Sequence, residues 1–188
     1  MRVSEYGVLR DDGTQVPLYS LAADRPVALV FLRHLGCVFC RQLVAKFRDE
    51  LADENVVFVT MSEPALTRRF RKWMRSPHFF LADPERRLYE AFGVPRTSAG
   101  RFFSAQVVRK ALAAYREGHR NSLTFDDQLQ LSGTYVMDRE GRVLARFVAE
   151  NISDAPSPET LREALCGAAN EEEPEGSSSF AAAYPTIF

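Results

Sequence analysis

The sequence predicts a single α/β body with a mixed central sheet and helices on both of its faces. Three observations carry this. Apolar runs of strand length, "PVALVFLR" (26–33) and "NVVFVTM" (55–61), are too continuous for strands with one wet face and suit a sheet covered on both sides. Amphipathic segments of helical period separate them. A strand–turn–strand pattern at each end of the body adds antiparallel partners to what the alternating part begins.

Taken in order, "EYGVLRDDGTQVPLYSL" reads as a hairpin about the turn Asp11-Asp12-Gly13. The run 26–33 is the first core strand. Cys40, Leu43, Val44, Phe47 and Leu51 then recur at helical spacing, with Arg41, Lys46, Arg48 and Asp49 largely on the other side. Residues 55–61 form the second core strand. Residues 64–75, "PALTRRFRKWMR", predict a helix whose apolar set is Leu66, Phe70, Trp73 and Met74, with Trp73 in the core. "HFFLAD" (78–83) is a short strand. "DPERRLYEAFGV" predicts a helix capped by Asp83, with Pro84 in its first position and a stop at Gly93. Residues 104–117 predict a further amphipathic helix. "GTYVMDREGRVLARFV" (133–148) is two strands around an Asp-Arg-Glu-Gly turn, and 157–169 is a last helix capped by Ser157.

The domain runs over 1–170. Residues 171–188 are a tail: an acidic, then Gly/Ser-rich linker followed by "FAAAYPTIF", whose aromatics suit a docking peptide and whose position suits a loose chain end equally well. The chain has 188 residues, 46% hydrophobic and 26% charged, ordinary for a globular protein. Its net charge is −1, and removing the four acids of the last 18 residues leaves +3. That is well short of a nucleic-acid-binding footprint. No apolar run spans a bilayer and the N-terminus lacks an apolar signal core, so the expected compartment is the cytoplasm, without membrane or nucleic-acid partners.

The chemistry concentrates in "FLRHLGCVFCRQ". Cys37 and Cys40 stand two residues apart where a buried strand passes into a helix. A metal site, a structural disulfide, a redox centre and inert burial all bring cysteines together. Metal binding lacks a second close pair, since only Cys166 and three scattered His remain. A structural disulfide suits neither an odd cysteine count nor a cytoplasmic protein. A helix N-terminus favours the thiolate over the thiol. Cys40 lies nearly one turn further along the same face, so the pair can close a small disulfide ring, the arrangement of two-electron thiol chemistry. Arg33 and His34 are candidates for adding positive charge, with His34 alternatively a base or a backbone-bonded strand-end histidine. Arg41 is a candidate for polarising a peroxide oxygen or a solvated helix-face residue. His78 and His119 read as surface or cap residues, the 68–75 bases (Arg68, Arg69, Arg71, Lys72, Arg75) as a solvated face or alternatively a surface for an anionic substrate or partner, and Cys166 as pointing away from the core.

"ALVFLRHLGCVFCRQ", "DPERRLYEAFGV", "LSGTYVMDREGRVLARF" and "SPETLREAL" together resemble the thioredoxin-fold superfamily. Within it they resemble peroxiredoxin-like proteins of the alkyl hydroperoxide reductase/thiol-specific antioxidant group. The R-H-x-G-C-x-x-C-R stretch is similar to a CxxC-containing subgroup that includes enzymes reducing prostaglandin endoperoxides. Where typical peroxiredoxins carry P-x-x-x-T-x-x-C, this chain has Arg33 at the Pro position and Cys37 at the Thr position when Cys40 is matched to the last Cys. The resemblance implies a thioredoxin-like fold and a thiol-dependent oxidoreductase that needs no cofactor, the alternative being a non-catalytic interaction module on the same fold. It implies a peroxide, endoperoxide or disulfide substrate, regeneration by an external dithiol (thioredoxin-like or glutathione), and a homodimer as a candidate assembly.

Overall fold

The computed structural model describes residues 6–97 and 127–170, with positions 109, 112, 115, 116 and 118 between them. The expected helix over 104–117 therefore lies largely outside the described residues, as do His119 and the tail. The opening hairpin supplies two strands of a seven-stranded sheet. Strands β1 (Gly7–Arg10) and β2 (Gln15–Pro17) pair antiparallel across the Asp-Asp-Gly turn, followed by a 3-10 turn at Leu18–Ala22. Then come β3 (Val27–Phe31), α1 (Val38–Glu50), β4 (Val56–Thr60), α2 (Pro64–Met74), β5 (Phe79–Ala82), α3 (Arg87–Ala91), β6 (Gly133–Met137), β7 (Val143–Val148) and α4 (Pro158–Asn170). The strand order is β2-β1-β5-β4-β3-β6-β7. β3, β4 and β5 run parallel, and β6 returns antiparallel to β3 with Val30 opposite Thr134 and Phe31 opposite Gly133.

Period-two alternation sends the central strands' side chains into two separate cores. Ala28, Val30, Val56, Phe58 and Phe80 meet Val44 and Phe47 of α1, Phe70 and Met74 of α2, and Leu161 and Leu165 of α4. Val27, Leu29, Phe31, Val57 and Leu81 meet Leu18 of the 3-10 turn and Leu88, Tyr89 and Phe92 at α3. Helices thus cover both faces of a mixed sheet, as the sequence predicts. On the second face Phe31 is edge-on to Tyr89 (centroids 5.0 Å) and to Tyr135 (5.5 Å). Gly133 is required here, because a Cβ would stand 2.9 Å from the Tyr135 ring.

Three local expectations need correction. On α2 the buried set is Thr67, Phe70 and Met74, while Leu66 and Trp73 are 55% and 61% exposed. The apolar stripe is centred one residue further round the helix, because the small Thr67 fits against Thr60 (Oγ1···Oγ1 2.7 Å). Asp83 and Pro84 belong to a turn that precedes α3. The residue flanking the helix is Arg86, at φ 57°, and Asp83 reaches over the turn to accept the N–H groups of Arg87 (3.0 Å), Leu88 (2.8 Å) and Tyr89 (3.3 Å). The capping chemistry is as expected, but from further away. His78 is buried, not a surface residue: Nε2 lies 3.1 Å from the Phe47 carbonyl and the ring is edge-on to Phe58. Ser157 caps α4 as expected, its Oγ accepting the Thr160 N–H at 3.2 Å.

Candidate functional site

Parallel strands β3 and β4 end on the same edge of the sheet, the edge on which open α/β sheets place their sites. β3 is buried throughout, so its exit is fixed, and the chain leaves through Arg33, His34, Leu35 and Gly36 into the N-terminus of α1. Tyr89 steadies this exit from below. Its hydroxyl sits between the carbonyls of Leu32 (2.6 Å) and Val59 (2.9 Å), tying the ends of β3 and β4 together.

Cys37 is the residue immediately before α1, with extended backbone (φ −73°, ψ 127°), and the helix begins at Val38, two residues earlier than the apolar period indicates. Cys40 lies in the first turn. Both are buried and neither is in a disulfide. The two thiols are pushed in opposite directions. Cys37 falls from 9.0 to about 6, chiefly because the Cys40 thiol donates to it, with further help from the Arg33 charge and the N–H groups of Cys40 and Phe39, all against burial. Cys40 rises well above its ordinary value, first because its proton is shared with Cys37, then through burial and the neighbouring negative charge. A helix start that stabilises one sulfur as thiolate and keeps a second protonated beside it is a poised nucleophile with an adjacent acid.

Arg33 is the least expected member. It is only 2% exposed. Its Nη1 donates to Cys37 Sγ at 3.1 Å, Nε to the Gln130 carbonyl at 2.9 Å and Nη2 to the Gln128 carbonyl at 2.7 Å. Its backbone N–H points at Cys40 Sγ, 3.3 Å away. One side chain thus joins the cysteine turn to a loop 95 to 97 positions away in the chain. That loop is itself anchored. The Gln130 side chain donates to the Pro95 carbonyl (2.9 Å), and Asp127 pairs with Arg86 and Arg96 at 2.8 Å each. Sequence reasoning missed Gln128 and Gln130. They act through backbone carbonyls, which any residue supplies, so no side-chain signal marks them.

His34 is buried beside the pair, its pKa lowered to about 4 by burial and then by Arg33 and Arg41. Burial and the two neighbouring guanidinium groups thus favour its neutral form. Its carbonyl accepts the Cys37 N–H at 3.1 Å, which shapes the turn. Arg41 is half-buried rather than fully solvated. Nε donates to the Leu35 carbonyl at 3.2 Å, and the guanidinium lies over the Trp73 ring, 4.9 Å from its centre. Phe39, in the first turn of α1, packs against Leu131, Ala149 and Ile152. The five predicted residues, Arg33, His34, Cys37, Cys40 and Arg41, converge. Cys166 is exposed on α4, apart from them. Among the described residues no cluster of three or more His, Cys, Asp or Glu is placed to hold a metal, and no helix is long and apolar enough to cross a membrane.

The class that this fold defines is thioredoxin-like, of the peroxiredoxin-like kind. The family model of the AhpC/TSA family matches residues 2–146, and the chain belongs to that family. Among curated relatives, it is 28% identical over 167 residues to a prostamide/prostaglandin F synthase of Salmo salar, covering 84% of this chain and 83% of that one. It is 27% identical over 175 residues to the thioredoxin-like protein AAED1, chloroplastic, of Arabidopsis thaliana, covering 82% and 67%. The fold is similar to that of peroxidoxin BcpB from Mycobacterium tuberculosis, with TM-score 0.60, 20% identity, and 88% and 92% of the chains covered.

Proposed function

We propose that Cys37 and Cys40 reduce a peroxide or endoperoxide by a two-electron thiol cycle in which Cys37 attacks first. The carrying observation is the opposite displacement of the two thiols around the Arg33–Cys37 contact: the sulfur bonded to the buried guanidinium is the one favoured as thiolate. The Cys37 thiolate attacks one oxygen of the O–O bond. The S–O bond forms as O–O breaks, the departing alkoxide takes a proton, and Cys37 becomes a sulfenic acid with a hydroperoxide or a sulfenate ester with an endoperoxide. Cys40 then attacks the Cys37 sulfur. Water or alcohol leaves, and the Cys37–Cys40 disulfide holds the two electrons' worth of oxidation. An external dithiol restores both thiols. Arg41, half-buried beside the pair, is a candidate for binding the substrate oxygen, and Arg33 holds the thiolate.

A second reading, a reductase of protein disulfides, is favoured by one feature: the attacking thiol stands just before the helix with its partner one turn inward, which serves disulfide exchange equally. The test is mass mapping after a sulfenic-acid trap. With hydrogen peroxide, the Cys40→Ser variant accumulates sulfenic acid on Cys37, and the Cys37→Ser variant stays unlabelled. Label on Cys40 in the Cys37→Ser variant reverses the assignment. Slow peroxide oxidation beside rapid reduction of insulin disulfides supports the second reading.

A further inference from the structure

Trp73 is the only tryptophan in the chain, and it lies outside the core on the flank of α2, linked to the cysteine turn through Arg41. The Arg41 guanidinium covers one side of its ring, and the same Arg41 is bonded to Leu35 in the cysteine turn. Phe70 supports the ring from below, with centroids 6.0 Å apart. Leu66 stands two helical turns back on the same flank, also exposed. From Pro64 to Arg75 there are five bases and no acid. Arg68 and Arg71 turn to Asp11 on the far flank, whereas Arg69 and Lys72 remain exposed. The result is a shoulder with an apolar centre of Trp73 and Leu66 and a basic rim of Arg41, Arg69 and Lys72, joined to the turn that carries the redox pair through the Arg41–Leu35 bond. Tryptophan and arginine, packed and partly desolvated, are the residues that dominate binding surfaces.

We infer that this shoulder is the docking surface for an acidic dithiol protein that reduces the Cys37–Cys40 disulfide; the inference rests on the redox reading of that pair. The charge selects the occupant. A second copy of this chain, placed across a two-fold axis, would set Arg41, Arg69 and Lys72 against themselves. An acidic surface around the partner's own cysteines would meet them with opposite sign and bring its thiolate to the edge of the pair. That thiolate attacks one sulfur of the Cys37–Cys40 bond and forms a mixed disulfide, and the other sulfur leaves as a thiolate and takes a proton. The partner's second thiol then closes its own disulfide and releases the first sulfur, so two electrons pass to the pair.

The test uses the full chain oxidised with diamide, so that no peroxide step enters. Reduction is followed by quenched alkylation and mass analysis, with a reduced thioredoxin of acidic isoelectric point or with dithiothreitol. Trp73→Ala and the double variant Arg69→Glu/Lys72→Glu should each lower the second-order rate constant with thioredoxin about tenfold, with that for dithiothreitol unchanged. Added salt should slow the wild type with thioredoxin alone. Wild-type rates in both variants, equal losses with dithiothreitol, or a wild-type dimer that Trp73→Ala splits would overturn the proposal. So would a wild type that thioredoxin reduces no faster than a small dithiol. If diamide forms no Cys37–Cys40 bond, the redox reading falls and this surface with it, an outcome visible before any reductant is added.

Discussion

Two helix starts stand along one edge of the sheet, and each places a buried acid among backbone N–H groups. At α1 the acid is the Cys37 thiol and at α3 it is the Asp83 carboxyl. Their responses are opposite. Cys37 is drawn down to about 6, whereas Asp83 is pushed up, because burial outweighs the three N–H groups of Tyr89, Leu88 and Arg87 that it accepts. A helix N-terminus is therefore not sufficient to ionise a buried acid. What distinguishes Cys37 is a donor side chain at Cys40 and a buried cation at Arg33, added to a similar set of backbone donors. The one start is built for reactivity and the other for capping.

The comparison breaks most visibly at the cysteine. Replacing Cys37 by Ser keeps the volume and removes the thiolate, so dithiothreitol-driven consumption of hydrogen peroxide should fall to the uncatalysed rate while circular dichroism stays native. Removing the cation is the next largest change. Arg33→Met should return the thiol toward its ordinary range and slow peroxide oxidation at pH 7 on the order of tenfold or more, as the ionised fraction falls. The deficit should shrink as the assay pH is raised, which a general loss of folding would not produce. At the other start, Asp83→Asn keeps one acceptor oxygen and sets an amide N–H toward backbone donors. It should cost about 1–2 kcal/mol in urea unfolding and leave thiol reactivity alone.

The two starts also predict opposite slopes of stability against pH. The folded Cys37 thiol is ionised above about 6, while the unfolded chain's thiol stays protonated up to about its ordinary 9.0. Between these values the unfolded state binds more protons, so this thiol makes the reduced protein more stable as pH rises, and the gain is lost as pH falls through about 6. Asp83, raised above 3.8 in the folded state, makes stability fall as pH rises through its titration. Thermal unfolding from pH 4 to 8 in wild type, Cys37→Ser and Asp83→Asn separates the two contributions. The smallest effect belongs to a third, exposed helix start. Ser157→Ala removes the cap of α4 and should cost about 1 kcal/mol in the same unfolding assay, with no change in thiol reactivity.

Much of this was legible in the sequence because it is local. The apolar runs became β3 and β4, the Asp-Asp-Gly turn became a hairpin, and Cys37 fell at a strand-to-helix junction. What escaped is long-range. Arg33 reads as a charge at a strand end, and its burial depends on carbonyls of Gln128 and Gln130 nearly a hundred residues on. His78 reads as a surface residue because nothing nearby shows that Phe47 and Phe58 enclose it. Trp73 reads as core by its chemistry alone. Its exposure follows from the one-residue rotation of α2 that buries Thr67.

The central claim is that Arg33 and Cys40 together make Cys37 the thiolate, and competitive alkylation of the reduced protein tests it directly. Iodoacetamide labelling is mapped by mass spectrometry from pH 4 to 10 in wild type and Arg33→Met. Cys37 should label well ahead of Cys40 with a midpoint near 6, and the midpoint should move up in the variant. Labelling of Cys40 first, or a Cys37 midpoint unchanged by loss of Arg33, would contradict the account.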